Sequence, residues 1–195
     1  MTTVFTTPII RHVLVLVAKS FLFLKGWKVI GDPPEEKKYI FIAAPHTSNW
    51  DFIFMICIAL TKNIDVRWMG KEQLFPKPFK GFMVWLGGIS IARSTTNNTV
   101  TEMVKRFKSV DKMTLLITPE GTRSKVEKWK TGFYHIALEA KVPIFRGFID
   151  APSKTCGIID KFIPTGRIEE DMEKIKNFYR TKTGINPQLG LDKSA

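Results

Sequence analysis

Apolar and polar positions along this chain switch between a strand period and a helix period. Tyr39–Ala44 is a short apolar run preceded by the turn-forming Gly31-Asp32-Pro33-Pro34, and it predicts a buried strand. Asp51–Leu60 (DFIFMICIAL) is apolar on every side, which predicts a helix enclosed by the rest of the fold. Asp65–Met69 predicts a second strand, and Pro76, Pro78 and Gly81 punctuate the chain beyond it. Gly87-Gly88 marks a tight bend, with a strand expected over Ile89–Ala92. Thr99-Val100-Thr101-Glu102 has capping-box spacing, so a helix is expected to begin there and carry Met103, Val104 and Phe107 inward. Met113–Ile117 reads as a buried strand. Phe133, Ile136, Ala137 and Ala140 recur at helical spacing within Gly132–Ala140, and Val142–Ile149 returns to strand character. From Thr183 onward, Gly184, Pro187 and Gly190 predict irregular structure. Strands alternating with helices predict an α/β fold, a largely parallel sheet flanked by helices.

The N-terminus follows a different pattern. Residues 8–27 are strongly apolar but interrupted by Arg11, His12 and Lys19. The uncharged run Val13–Ala18 falls short of the roughly 20 apolar residues that span a bilayer. Bulky Phe21–Trp27 follows where a signal peptide would have a small-residue cleavage site. Wound as a helix, Arg11, Lys19 and Ser20 share a polar edge while Leu, Val and Phe cover the rest. Trp27 with Lys19, Lys25 and Lys28 suits a lipid interface, and a buried core helix is the alternative. The expected organisation is an apolar, amphipathic membrane-docking helical segment over residues 1–30 and one further domain over 31–195.

Charge sharpens the question of partners. The chain of 195 residues carries 30 Lys and Arg against 18 Asp and Glu, a net charge of +12. That excess fits nucleic acid, an anionic membrane surface, or a polyanionic small molecule or carrier protein. The charge is spread, with dense runs at Arg123–Lys130 and Glu169–Lys182, and no nucleic-acid module accompanies it, so a basic nucleic-acid-binding protein is the remote reading. Hydrophobic residues at 44% argue for a packed core and against disorder. The two cysteines, Cys57 in an apolar run and Cys156 in a loop-like stretch, have no metal-ligand spacing and form no disulfide framework. Cys57 reads as a small core residue. His12 and His135 read as structural or surface histidines. Trp68, Trp85, Phe75, Phe79 and Phe82 read as core or membrane contact.

Two polar constellations lie where strands are expected to end, the edge at which open α/β sheets bind ligands. The first is Pro45-His46-Thr47-Ser48-Asn49-Trp50-Asp51. A histidine suits general-base work near neutrality, and a carboxylate on its other nitrogen fixes the tautomer. The plain alternative is a helix-capping His and an Asp favoured by the helix N-terminus. The second is Thr118-Pro119-Glu120-Gly121-Thr122-Arg123-Ser124, in which Arg123 offers a fork suited to phosphate. Its plain alternative is an ordinary polar loop. Arg93 follows the Ile89–Ala92 strand.

Together these elements resemble the glycerolipid acyltransferase family typified by 1-acyl-glycerol-3-phosphate acyltransferase. Its four ordered motifs have counterparts in His46 to Asp51, Gly87 to Arg93, Pro119 to Ser124 with Lys130-Thr131-Gly132, and Val142-Pro143-Ile144, over roughly residues 40–147. The resemblance implies transfer of a fatty acyl group from a thioester, acyl-CoA or acyl-carrier protein, to a lysophospholipid hydroxyl. His46 would be the general base and Asp51 would orient it. Arg93, Glu120, Gly121, Thr122 and Arg123 would hold the acceptor's polar head, and Val142, Pro143 and Ile144 would help shape the substrate or acyl site. It implies no bound cofactor, no metal and no acyl-enzyme intermediate. The partners would be the lipid acceptor, the acyl donor and an anionic membrane surface, on the cytoplasmic face of the inner or plasma membrane. Ser90, Ala92, Thr118 and Arg146 depart from the family pattern near the acceptor motifs, which keeps open an amino-acid lipid or glycolipid precursor as acceptor. A catalytically silent lipid-binding relative is a further alternative. The chain is short for the family, leaving little room for a transmembrane anchor.

Overall fold

A computed structural model describes residues 2–91 and 96–191 of the chain. Among them, β1 (Lys28–Ile30), β2 (Lys38–Ala44), β3 (Val66–Lys71), β4 (Gly88–Ile91), β5 (Met113–Ile117), β6 (Ile144–Asp150) and β7 (Thr155–Phe162) form one sheet. Their spatial order is β1-β7-β6-β2-β5-β3-β4. Every neighbouring pair is parallel except β6 and β7, which form an antiparallel hairpin. The largely parallel α/β architecture expected from the sequence is the one observed. β2 holds the centre and is apolar along its length because both its faces are covered.

Six helices cover the sheet: α1 (Ile10–Leu24), α2 (Trp50–Thr61), α3 (Lys80–Trp85), α4 (Thr96–Ser109), α5 (Gly132–Ala140) and α6 (Ile168–Arg180), counted among the described residues. The strand period of two divides the core. Tyr39 and Phe41 of β2 join Leu116, Phe145 and residues of α1 and α2 on one face. Ile40 and Ile42 join Leu115, Ile144 and residues of α4, α5 and α6 on the other. Ile40, Ile42, Leu115 and Ile144 are fully enclosed, and each such side chain contributes about 1.5–3 kcal/mol of apolar burial.

Two expectations are corrected. α4 begins at Thr96, so Thr99 lies inside the helix and does not cap it. Thr96-Asn97-Asn98 contains no glycine or proline to stop the helix earlier, and Met103, Val104 and Phe107 still turn inward. Cys156 lies in β7 and is fully buried, not in a loop. Gly157 and the polar Asp160-Lys161 disguise this strand, which pairs with both β6 and β1. The charged run near Glu169 is the amphipathic helix α6, which buries Met172, Ile175 and Tyr179.

The N-terminal segment is built into the same core. Val4, Phe5, Ala18 and Leu22 are buried with the residues of α2, and the Thr3 hydroxyl donates to Asp65 at 2.7 Å. The outer side of α1 leaves Val13, Leu16, Val17, Phe23 and Leu24 exposed. Lys19 and Ser20 are exposed, whereas Arg11 is half-buried and not part of an open polar edge. Among the described residues no helix is long and apolar enough to cross a membrane.

α6 is tied to the centre of the sheet by one hydroxyl. Tyr179, fully buried, donates towards the carbonyls of Ile42 at 3.1 Å and Gly147 at 2.9 Å. Tyr179→Phe is expected to lower the unfolding free energy by about 1–3 kcal/mol, because two buried carbonyls lose a donor. Urea denaturation followed by circular dichroism measures the loss, and an unchanged midpoint would show that the bridge contributes nothing.

Candidate active site

β2 ends at Ala44, and the chain turns through residues 45–49 before α2 begins at Trp50. Asp51 therefore sits in the first turn of α2, where the partial positive charge of the helix N-terminus favours a carboxylate. The turn folds back on it. Asp51 Oδ2 accepts from the backbone N–H of Thr47 at 2.7 Å and of Ser48 at 2.8 Å. His46 Nδ1 lies 3.1 Å from the same oxygen. With that oxygen already accepting two donors, Nδ1 carries the proton, an assignment made from the network. Nε2 is left with its lone pair, as a general base requires. Asp51 is buried and His46 half-buried.

His46 and Asp51 form the polar end of an open cavity of about 140 Å³ between the sheet and α2. Its walls are apolar, with Phe41, Phe52, Met55, Ile58 and Trp68 among them. It reaches Ile64 and Val66, and Val66 lies level with Thr114 and Tyr39 at the far end of the central strands. The residue pattern gave no warning of this cavity, because wall residues and core residues have the same apolar character.

The loop after β5 completes the polar end. Arg123 is exposed and lines the cavity together with Thr118. Glu120 is turned the other way. It is buried, and its Oε1 accepts the His46 N–H at 3.1 Å. Burial pushes its carboxyl up to about 7, opposed by the hydrogen bond from His46. Gly121 adopts φ +64°, the left-handed conformation that glycine takes at no steric cost, and so suits the turn. Thr122 is half-buried beside it.

Other expected site residues are placed elsewhere. Arg93 lies outside the described residues. Val142, Pro143 and Ile144 sit at the start of β6, the opposite end from His46. Val142 and Ile144 pack in the core on the other face of the sheet. The part of β6 that lines the cavity is Gly147, Phe148 and Ile149. Arg146 pairs with Asp160 and lies 4.5 Å over the ring of Phe178. That is a structural clamp between β6, β7 and α6. Cys57 and Cys156 are pushed up by burial to about 11 and about 12, so both thiols remain neutral. Trp68 and Phe75 are buried, whereas Phe79 and Phe82 are exposed. Among the described residues no group of three or more His, Cys, Asp or Glu could hold a metal.

The largely parallel α/β sheet thus carries a His–Asp pair at the end of its central strand, beside an apolar cavity. The family model for acyltransferases matches residues 28–146, and the chain belongs to that family. It is 30% identical over 131 residues to the 1-acyl-sn-glycerol-3-phosphate acyltransferase of Haemophilus influenzae, covering 62% of this chain and 53% of that one. It is 33% identical over 108 residues to the enzyme of the same name from Escherichia coli, covering 52% and 42%. The chain thus spans about half the length of these relatives. Its fold is similar to the crystal structure of the 1-acyl-sn-glycerophosphate acyltransferase PlsC from Thermotoga maritima, with a TM-score of 0.59 at 19% identity over 85% of this chain and 74% of that one.

The raised Glu120 carboxyl gives stability a pH dependence with a definite sign. Between the ordinary carboxylate range and about 7, the unfolded chain has released this proton and the folded chain has kept it. Stability therefore falls as pH rises through that window and stays lower above it, by on the order of 3 kcal/mol. Glu120→Gln keeps an acceptor for the His46 N–H and never ionises. Its melting temperature is expected to match wild type near pH 4.5 and to exceed it at pH 8. Parallel melting curves would count against the buried-carboxyl account.

Proposed function

We propose that this chain transfers a fatty acyl group from a thioester, acyl-CoA or acyl-carrier protein, to the hydroxyl of a lysophospholipid such as 1-acyl-glycerol-3-phosphate. The observation that carries the reading is the meeting of three features in one cavity: a His–Asp pair, apolar walls, and Arg123 beside them. The relatives named above are acyltransferases for that acceptor, which supports the same chemistry here.

In this reading the acyl chain lies among Phe52, Met55 and Ile58, and the acceptor's phosphate takes the Arg123 guanidinium. His46 Nε2 removes the acceptor hydroxyl proton as the oxygen attacks the thioester carbonyl carbon. The tetrahedral intermediate collapses with cleavage of the C–S bond, and the imidazolium returns the proton to the departing thiolate. Asp51 holds the imidazole in orientation throughout. No bound cofactor or metal takes part in these steps. Thr122 and Gly121 shape the loop that carries Arg123, and Arg93 would add a second cation to the phosphate.

We place this chemistry at the cytoplasmic face of a membrane. The exposed apolar side of α1 supports contact with lipid, and the net charge of +12 supports attraction to an anionic surface.

The test is thiol release from long-chain acyl-CoA or acyl-carrier protein with a panel of lyso-lipid acceptors. Acceptor-dependent release by wild type, lowered by about 10²–10⁴ in His46→Ala, is the expected result. Arg123→Ala should reduce kcat/KM for a phosphate-bearing acceptor by about 10-fold to 100-fold, the loss of one charge-assisted contact. No release with either donor and any acceptor would overturn the reading. In a separate measurement, Leu16→Asp combined with Phe23→Asp should weaken cosedimentation with anionic vesicles while leaving the fold intact, since both positions are exposed. Unchanged cosedimentation would exclude α1 as the docking element.

A further inference from the structure

The catalytic turn is held from outside by a segment that lies beyond both the matched family region and the four motifs. After α6 the chain returns across the sheet edge. The Thr183 N–H donates to Asp150 Oδ1 at 2.9 Å, and the Ala151 N–H donates to the Thr183 carbonyl at 2.8 Å. Gly184 then lies flat against Thr47, where a Cβ would come within 2.6 Å of Thr47 Oγ1 and 2.8 Å of its Cγ2. Ile185 packs on the core beside α2. Asn186 grips Thr47 twice. Its backbone N–H donates to Thr47 Oγ1 at 3.1 Å, and its Nδ2 donates to the Thr47 carbonyl at 2.7 Å.

The second of these bonds bears on the chemistry. The Thr47 carbonyl and the Ser48 N–H belong to one peptide plane. That N–H donates to Asp51 Oδ2 at 2.8 Å, the same oxygen that faces His46 Nδ1. A hydrogen-bonded path therefore links the Asn186 amide through the 47–48 peptide to Asp51 Oδ2, to which His46 Nδ1 donates from the other side. Hydrogen bonds in series polarise and orient one another. Without the Asn186 amide, the carbonyl side of that peptide loses its partner and the plane is held from the Ser48 N–H side, by Asp51.

We propose that Asn186 is a positioning residue for the His46–Asp51 pair, and that residues 183–191 form a strap whose contact with Thr47 fixes the reactive tautomer of His46. The kinetic part rests on the acyl-transfer reading, and the geometric part does not. Asn186 acts through the peptide and touches no reacting atom. Partners of this outer kind hold reactive groups to the fraction of an ångström that catalysis requires.

The test uses the full chain in detergent and two readouts. The first is the nitrogen-15 spectrum of the histidine rings, with the His46 signals assigned by their loss in His46→Ala. Wild type is expected to show His46 protonated at Nδ1 alone, and Asn186→Ala to show averaged tautomers. The second is steady-state kinetics. Asn186→Ala and Asn186→Asp, which keeps the side chain's shape but removes its donor, should lower kcat by about 10-fold to 100-fold with KM for both substrates unchanged. Gly184→Ala, which pushes the strap off Thr47, should behave alike. Asn186→Ala added to His46→Ala should cost no further activity, because both act through one group.

A locked Nδ1 tautomer and unchanged kcat in all three variants would overturn the proposal. A rise in KM with kcat intact would also overturn it, since that marks a substrate-binding role. Tautomer averaging in the variants, in a wild type that releases no thiol, would uphold the strap and reject acyl transfer as the activity.

Discussion

One oxygen atom organises this site. Asp51 Oδ2 draws the N–H groups of Thr47 and Ser48 and the Nδ1 of His46 towards itself. A carboxylate buried without donors is costly, so the turn between β2 and α2 must fold back and supply them. That requirement sets the path of residues 45–49, and with it the position of the His46 ring. It also fixes where α2 starts, because Asp51 gains from the helix N-terminus only in the first turn. The second oxygen, Oδ1, is buried without a hydrogen-bond partner. Unpaired polar atoms of this kind gather where function outweighs stability.

Around that oxygen the protein keeps charge and oil apart. Below His46 the cavity walls are apolar, and Glu120 is withdrawn behind the turn and held largely protonated below about pH 7. Like charge is thereby kept away from Asp51, with which an ionised Glu120 would interact unfavourably. Arg123 provides positive charge on the cavity's rim. The loop carrying Thr118 to Arg123 leaves the edge of β5, which pairs with β2 directly. The two motifs, 74 residues apart at His46 and Glu120, are neighbours because their strands are neighbours.

The sequence revealed the parts of this arrangement whose physics is local. β2, α2 and β5 were legible because each is a continuous apolar run, and His46 and Asp51 because a turn of that length can bring them together. Helix α6 was legible in principle. Met172, Ile175 and Tyr179 recur at helical spacing behind three acids in the first turn, but its high charge hid the pattern. β7 was not legible, because it is broken by Gly157 and polar at its far end, and its strand character comes from pairing with β6 and β1. The orientation of Glu120 depends on burial, and the placement of Val142–Ile144 depends on which end of β6 faces the site. Neither is encoded in residue spacing. Asn186 was invisible for the same reason: it meets Thr47 across 139 residues, through contacts that no pattern announces.

The N-terminal helix links the outer surface to the same turn. Phe21 of α1 stacks on Trp50 with ring centroids 6.3 Å apart, and Trp27 meets Phe54 at 4.2 Å. Trp50 and Phe54 both belong to α2, and Trp50 directly precedes Asp51. The inner side of α1 is thus bonded through aromatic contact to the helix that orients the catalytic histidine, while its outer side is left apolar and open. A helix that only filled the core would not need that open side. A helix that only anchored the chain would not need Ala18 and Leu22 buried against α2. Having both means that the helix with the open apolar face is also the one packed against the helix that carries Asp51.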